Sequence, residues 1–131
     1  MIRPRVTVLM TVYNGLPYLA EAVQSVLGQT RRELEFVIVE DGSDDGSAEW
    51  LEAVGDPRIR LERNDRNRGQ AWSLNRGLEL AVGECVARLD QDDVCLPDRL
   101  AKQLAWLDAH PQAAAVGSFM AGIDAQGRRN G

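Results

Sequence analysis

Glu84-Cys85-Val86-Ala87-Arg88-Leu89, followed at once by Asp90-Gln91-Asp92-Asp93, is the stretch whose reading decides the fold. The first six residues predict a strand. The acids begin where that strand ends, with three carboxylates in four positions. Carboxylates packed together repel unless something cationic joins them. Such a cluster belongs in a loop at the carboxyl edge of a sheet, which is where ligands bind in an open α/β fold. A hard divalent ion such as Mg²⁺ or Mn²⁺ takes oxygen ligands and can share them with substrate phosphates. The plainer reading is a solvated acidic loop before the helix opened by Pro97-Asp98-Arg99-Leu100.

Working outward, the same alternation recurs. Residues 6–12 form an unbroken β-rich run, as expected for a strand buried on both faces. Residues 34–39 and 58–62 predict two more strands. Helical spacing marks residues 16–27, with Pro17 in the first turn. Helices are also predicted at 48–54, at 70–82, and from 97 to the neighbourhood of His110-Pro111. Residues 113–120 read as a further strand, Asp124-Ala125-Gln126-Gly127 as a hairpin turn, and Gly127 to Gly131 as a polar tail. Strands alternating with helices predict an α/β fold with a mostly parallel, Rossmann-like sheet and helices on both faces. No internal boundary is visible, so residues 1–131 read as one domain.

Composition narrows the function. At 131 residues, 44% hydrophobic and 27% charged, the chain has the profile of a soluble globular protein. Its net charge of −5 argues against a nucleic-acid partner, because no basic stripe is available to neutralise phosphates. Arg58, Arg60, Arg63, Arg66 and Arg68 do cluster, interleaved with Glu62 and Asp65. They read as a mixed surface or as help with an anionic ligand. No apolar run reaches the roughly 18 residues of a membrane helix, and Met1-Ile2-Arg3-Pro4-Arg5 has no signal-peptide pattern. The expectation is a cytoplasmic protein, with any membrane association supplied by parts outside this chain. Cys85 and Cys95 have neither metal-site nor disulfide spacing, and Cys85 reads as a buried core residue. His110 reads as a surface residue at a helix end.

Three polar clusters follow three strands: Thr11 to Asn14, Glu40 to Asp45, and Asp90 to Asp93. If the strands are parallel, all three lie on one edge of the sheet. The loop 64–69 leads into a helix N-terminus, which favours anions. Together they outline a cleft with a flat aromatic, acids for a base N–H or ribose hydroxyls, and metal-binding carboxylates. That set suits a nucleotide carrying a diphosphate. Neither G-x-x-x-x-G-K-[ST] nor a G-x-G-x-x-G after the first strand is present, so a metal rather than a backbone cradle would hold the phosphates.

The chain resembles the N-terminal part of family 2 glycosyltransferases, which have the GT-A fold. Four segments carry the resemblance: residues 6–14, residues 39–47, Asn67-Arg68-Gly69, and Arg88 to Asp93 with Pro97-Asp98-Arg99-Leu100. The resemblance implies that Thr11 and Tyr13 flank the base of a nucleotide-sugar donor, with Tyr13 stacking on it. Asn14 belongs to the same segment. Asp41 would accept a hydrogen bond from the base, most simply the N–H of uracil, and Glu40 stands where many relatives have Asp. Gly69 would let the backbone approach the nucleotide, and Asn75 would face the same pocket. Asp90-Gln91-Asp92 would be the D-x-D motif. Asp92 would ligate Mn²⁺ or Mg²⁺, and Asp90 would face the ribose or the metal's waters. Pro97, Asp98 and Arg99 would brace the loop.

Inverting transfer to a saccharide, lipid-linked or protein acceptor needs a general base. In this family the base lies well downstream of the D-x-D motif. The resemblance therefore implies that these residues are the N-terminal portion of a longer transferase, inactive alone, with no catalytic base among them. Asp124 is not nominated. Two other readings compete: a non-catalytic nucleotide-sugar-binding or interaction module of the same fold, and a phospho-receiver domain. An unpaired sheet edge would favour a homo-oligomer. The receiver reading needs acids after the first strand and a lysine after the last, whereas the single lysine is Lys102 on a predicted helix. UDP is the first choice of nucleotide, with dTDP and GDP as alternatives.

Overall fold

The computed structural model describes residues 3–129. The expected start at Met1-Ile2 and the end of the polar tail at Asn130-Gly131 lie outside the described residues. Four strands, β1 (Val6–Val12), β2 (Glu35–Glu40), β3 (Ile59–Arg63) and β4 (Cys85–Arg88), form one sheet in the order β3-β2-β1-β4. Every pairing in it is parallel. The helices between and after them are α1 (Leu19–Leu27), α2 (Ser47–Ala53), α3 (Gln70–Leu80) and α4 (Arg99–Ala109). The chain divides into two compact units, one through Ala101 and one from Lys102 onward.

β1 is central, which is why its sequence is apolar apart from Thr7 and Thr11. Leu9 packs with Val37 and Val39 of β2, Leu80 of α3, and the half-buried Leu74. Gly77 lies at the crossing of α3 and β1: a Cβ there would stand 2.2 Å from Leu9 Cδ1. Successive strand side chains point to opposite faces. Val8, Met10, Val12, Phe36 and Ile38 are buried as well, so both faces of the sheet are covered. α1 buries Leu19, Ala22, Val23 and Val26, one stripe at helical spacing. β4 is an edge strand whose exposure alternates along its length. That geometry corrects the expectation for Cys85, which is half-buried; Cys95, against Ser25 and Gln29 of the α1 segment, is the buried thiol.

The helix predicted from residue 16 begins at Leu19. The amides of Gly15 and Leu16 donate to Ser47 Oγ (3.0 Å) and Asp45 Oδ2 (3.1 Å), so the loop after β2 captures the backbone that would have started it. Pro17 therefore sits in the turn before α1. α3 ends at Leu80 instead of 82 for a similar reason. The Val82 and Gly83 amides donate to Glu35 Oε1 (3.0 Å) and Thr7 Oγ1 (2.9 Å).

Residues 113–120 are not a strand, contrary to expectation. A strand needs a partner for its backbone, and Ala113-Ala114-Ala115 with Gly117 are weak β formers. In that unit, among the described residues, the pairing is one antiparallel bridge between Ile123 and Arg129. The bridge closes the expected turn, with the Asp124 amide donating to Arg128 O at 2.8 Å. No helix among the described residues is long and apolar enough to cross a membrane.

β1 to β3 run outward in one direction from the centre, and β4 falls on the other side of β1. The strand order therefore reverses between β1 and β4. A crevice opens outside the carboxyl ends of the strands at such a switch point.

Candidate functional site

A cleft of about 350 Å³ lies at that switch point, lined by Thr11, Val12 and Tyr13 after β1, Asp41 after β2, Asn67, Gly69 and Gln70 at the start of α3, and Asp90, Gln91 and Asp92 after β4. Seven of the ten residues expected at a donor site face this one cavity: Thr11, Tyr13, Asp41, Gly69, Asp90, Gln91 and Asp92. They come together because the parallel register brings the ends of β1, β2 and β4 to one edge.

Asp41 is 3% exposed, and its carboxylate is already committed to the protein. Oδ1 accepts from Asn64 Nδ2 (2.8 Å) and the Arg68 amide (2.7 Å), and Oδ2 accepts from the Gly69 amide (3.0 Å). Asn64 Nδ2 also donates to Ser73 Oγ at 3.0 Å. The Asp41 side chain thus fixes the loop 64–69 and the entry to α3. A carboxylate offers about four lone-pair sites, so Oδ2 has room for one further donor from the cleft.

The acid loop is ordered by its own bonds. The Asp93 amide donates to Asp90 O at 3.1 Å, and Arg88 lies 3.5 Å from Asp90 Oδ1. Burial, then repulsion from Asp92 and Asp90, pushes the Asp93 carboxyl above the ordinary aspartate value, with Arg99 opposing. Gln91 sits between Asp90 and Asp92 and turns its amide to the end of β1. Its Oε1 accepts from the Tyr13 amide (2.9 Å) and its Nε2 donates to Tyr13 O (3.1 Å). Tyr13 itself is 46% exposed, leaving its ring open to the cleft.

Three expected residues do not line the cavity. Glu40 is buried, and its carboxylate accepts from the Gly42 (3.2 Å) and Ser43 (2.8 Å) amides, so it shapes the turn after β2. Asn14 holds the same turn from β1: its amide donates to Ser43 Oγ (2.9 Å) and its Oδ1 accepts from the Asp44 amide (3.0 Å). Asn75 is exposed on α3 and is not among the residues that line the cleft.

Most of the arginine cluster is engaged with the protein itself. Arg58 donates to Leu27 O, Arg32 O and Asp56, Arg60 to Leu80 O, and Arg63 to Glu52. Arg68 pairs with Asp65 and lies over the Trp72 ring, 4.7 Å from its centroid.

The sequence profile of glycosyl transferase family 2 matches residues 7–130. The chain belongs to that family. Among similar proteins, EpsE of Bacillus subtilis (strain 168) is 39% identical over 129 residues, covering 96% of this chain and 46% of its own length. The succinoglycan biosynthesis protein ExoO of Rhizobium meliloti (strain 1021) is 38% identical over 113 residues, covering 86% of this chain and 32% of its own. This chain therefore spans less than half the length of these relatives. Among solved structures, the mannosyltransferase PcManGT of Pyrobaculum calidifontis, in complex with GDP-Man and Mn²⁺, superposes with a TM-score of 0.70 at 35% identity. That match covers 82% of this chain and 33% of PcManGT. The fold is the nucleotide-sugar-binding GT-A fold of glycosyltransferases.

The carboxylates after β4 can be tested against a metal site. Among the described residues, no group of three or more His, Cys, Asp or Glu side chains is arranged to hold an ion. Mg²⁺-like ions are commonly bound through one or two carboxylates plus substrate phosphates and water. Asp90 and Asp92, which line the cleft, fit that pattern. Val12, Asn67 and Gln70 also line the cleft and were not singled out as site residues. Asn67 had a signal, since it opens the Asn67-Arg68-Gly69 segment. Asn64 and Ser73, which hold Asp41, had none.

Proposed function

We propose that this chain is the donor-binding region of a glycosyltransferase that takes a nucleoside-diphosphate sugar and transfers its sugar, with inversion, to an acceptor hydroxyl. The observation that carries the reading is the meeting of Tyr13, Asp41 and the Asp90–Asp92 loop in one cleft at the switch point of the sheet. Tyr13 stacks on the base, and the free capacity of Asp41 Oδ2 accepts from a base N–H. Thr11 flanks the base, while the backbone at Gly69 lies against the nucleotide. Asp92 and Asp90 would hold Mn²⁺ or Mg²⁺ beside the diphosphate. When bound, the ion neutralises the charge that grows on the departing nucleoside diphosphate. The GDP-Man and Mn²⁺ of PcManGT support a nucleotide-sugar donor and a divalent ion here. UDP remains the first nucleotide to try, with GDP beside it. The similarity to ExoO, a succinoglycan biosynthesis protein, supports a saccharide acceptor.

Inversion requires a base that takes the proton of the acceptor hydroxyl as that oxygen attacks the anomeric carbon. Asp124 does not serve: its carboxylate accepts from the Arg128 and Gln126 amides and from Arg128 Nε, bonds that hold it below the ordinary aspartate range. These residues are proposed to bind donor without turning it over alone. The test is calorimetric titration of UDP and GDP with and without Mn²⁺, on wild type and Asp92→Ala. Binding that needs Mn²⁺ and disappears in Asp92→Ala is the expected result. Binding that ignores both would refute the metal reading.

A further inference from the structure

We infer that Gln91 is a positioning residue whose side-chain amide, clipped to both backbone polar groups of Tyr13, sets the spacing between the base-stacking ring and the metal-binding carboxylates. The inference rests on the donor-site reading above and adds a role to a residue that reading leaves without one.

The geometry is specific. Gln91 Oε1 accepts from the Tyr13 amide at 2.9 Å while Nε2 donates to Tyr13 O at 3.1 Å. A primary amide satisfies a peptide donor and a peptide acceptor together; a carboxylate only accepts, and an ammonium only donates. Tyr13 is one residue past the end of β1, and Gln91 is three past the end of β4. The strand ladder cannot fix their separation, because both strands have ended. The reciprocal pair therefore continues the pairing of β1 with β4 through a side chain, across the switch point. Its neighbours Asp90 and Asp92 face the cleft from the same loop, so holding Gln91 holds them at a set distance from the Tyr13 ring.

Gly15 supplies independent evidence. A Cβ at Gly15 would lie 2.8 Å from Gln91 Oε1 and 3.3 Å from its Cδ. Room for the amide exists because residue 15 has no side chain. A methyl there would meet the flexible end of Gln91 and also come 3.2 Å from Leu19 Cβ, so Gly15→Ala should dislodge the amide with a modest loss of stability that melting curves measure separately. Gln91→Met removes the two bonds from the other side, keeping length and adding no charge.

The experiment reads the clip and its consequence separately, on the full chain. Amide hydrogen exchange at Tyr13 in the free protein reports the clip. Titration of UDP or GDP in the presence of Mn²⁺ reports the positioning. Both Gln91→Met and Gly15→Ala are expected to speed Tyr13 exchange and to weaken nucleotide binding, each by about tenfold or more. In the cycle of Tyr13→Ala with Gln91→Met, the Tyr13 substitution should cost much less once Gln91 is gone, because the two act as a unit. A merely structural role would lower stability and leave the two substitutions additive. Faster exchange with unchanged nucleotide affinity, or full additivity, would overturn the positioning role. If wild type binds neither nucleotide with Mn²⁺, the donor-site reading itself fails and the positioning role with it. That failure shows in the wild-type titration and is distinct from a failure seen in the variants alone.

Discussion

The Asp41 carboxylate receives hydrogen bonds from Asn64, Arg68 and Gly69, so removing it strips three donors of one loop of their partner. Asp41→Ala is expected to destabilise the fold by about 2 to 4 kcal/mol, since bonds to a charged group are strong and their loss leaves part-buried donors unpaired. Urea unfolding measures it; a loss below about 0.5 kcal/mol, the scale of an ordinary surface substitution, would mean that the loop holds without the carboxylate. That Asp90 and Asp92 would line a cleft was legible because clustered like charge after a strand is visible in sequence alone. The second duty of Asp41 was not, for its partners come 23 to 28 residues later and depend on β3 lying beside β2. Glu40 misled for a related reason. It pairs in register with Val12 and Arg63 inside the sheet, and only the three-dimensional register separates it from Asp41.

Between elements, close approach decides what is tolerated. A Cβ on Gly42 would stand 2.7 Å from the backbone carbon of Arg66, and Gly42 has φ +78°, a conformation that side chains disfavour. Gly42→Ala should therefore cost about 1 to 3 kcal/mol and weaken Mn²⁺-dependent nucleotide binding by displacing the loop 64–69. Unchanged melting and binding would contradict the crossing of the two loops. The Asp45 carboxylate ties this turn to the start of the α1 segment. Burial opposes its ionisation, but bonds from the Ser47 hydroxyl and from the Ser47 and Leu16 amides outweigh it and hold the carboxyl below 3.8. A depressed acid contributes stability that is present above pH 3.8 and is lost as pH falls through its lower folded value. The destabilisation by Asp45→Ala at neutral pH should accordingly fade in acid, which melting curves across pH would show; a deficit independent of pH would refute it. The elements themselves were legible from apolar spacing. Their ends were not, wherever side chains such as Ser47, Asp45, Glu35 and Thr7 captured backbone amides. Residues 113–120 had strand-like composition, but composition does not say whether a neighbouring strand is present to pair with.

For the whole molecule, alternation of strand and helix predicted a parallel sheet, while the order β3-β2-β1-β4 came only from the structure. That order sets Asp90–Asp92 beside the end of β1 and makes the cleft. The chain carries a net charge of −5, and its proposed ligand is anionic, so a cation at the acid loop is central to the account. The most direct measurement is a crystal structure with UDP and Mn²⁺, with the ion located by anomalous scattering at the manganese edge. Manganese is expected against the Asp92 carboxylate and the diphosphate, with the uracil ring on Tyr13. Manganese bound elsewhere, or a nucleotide outside the cleft between β1 and β4, would contradict it.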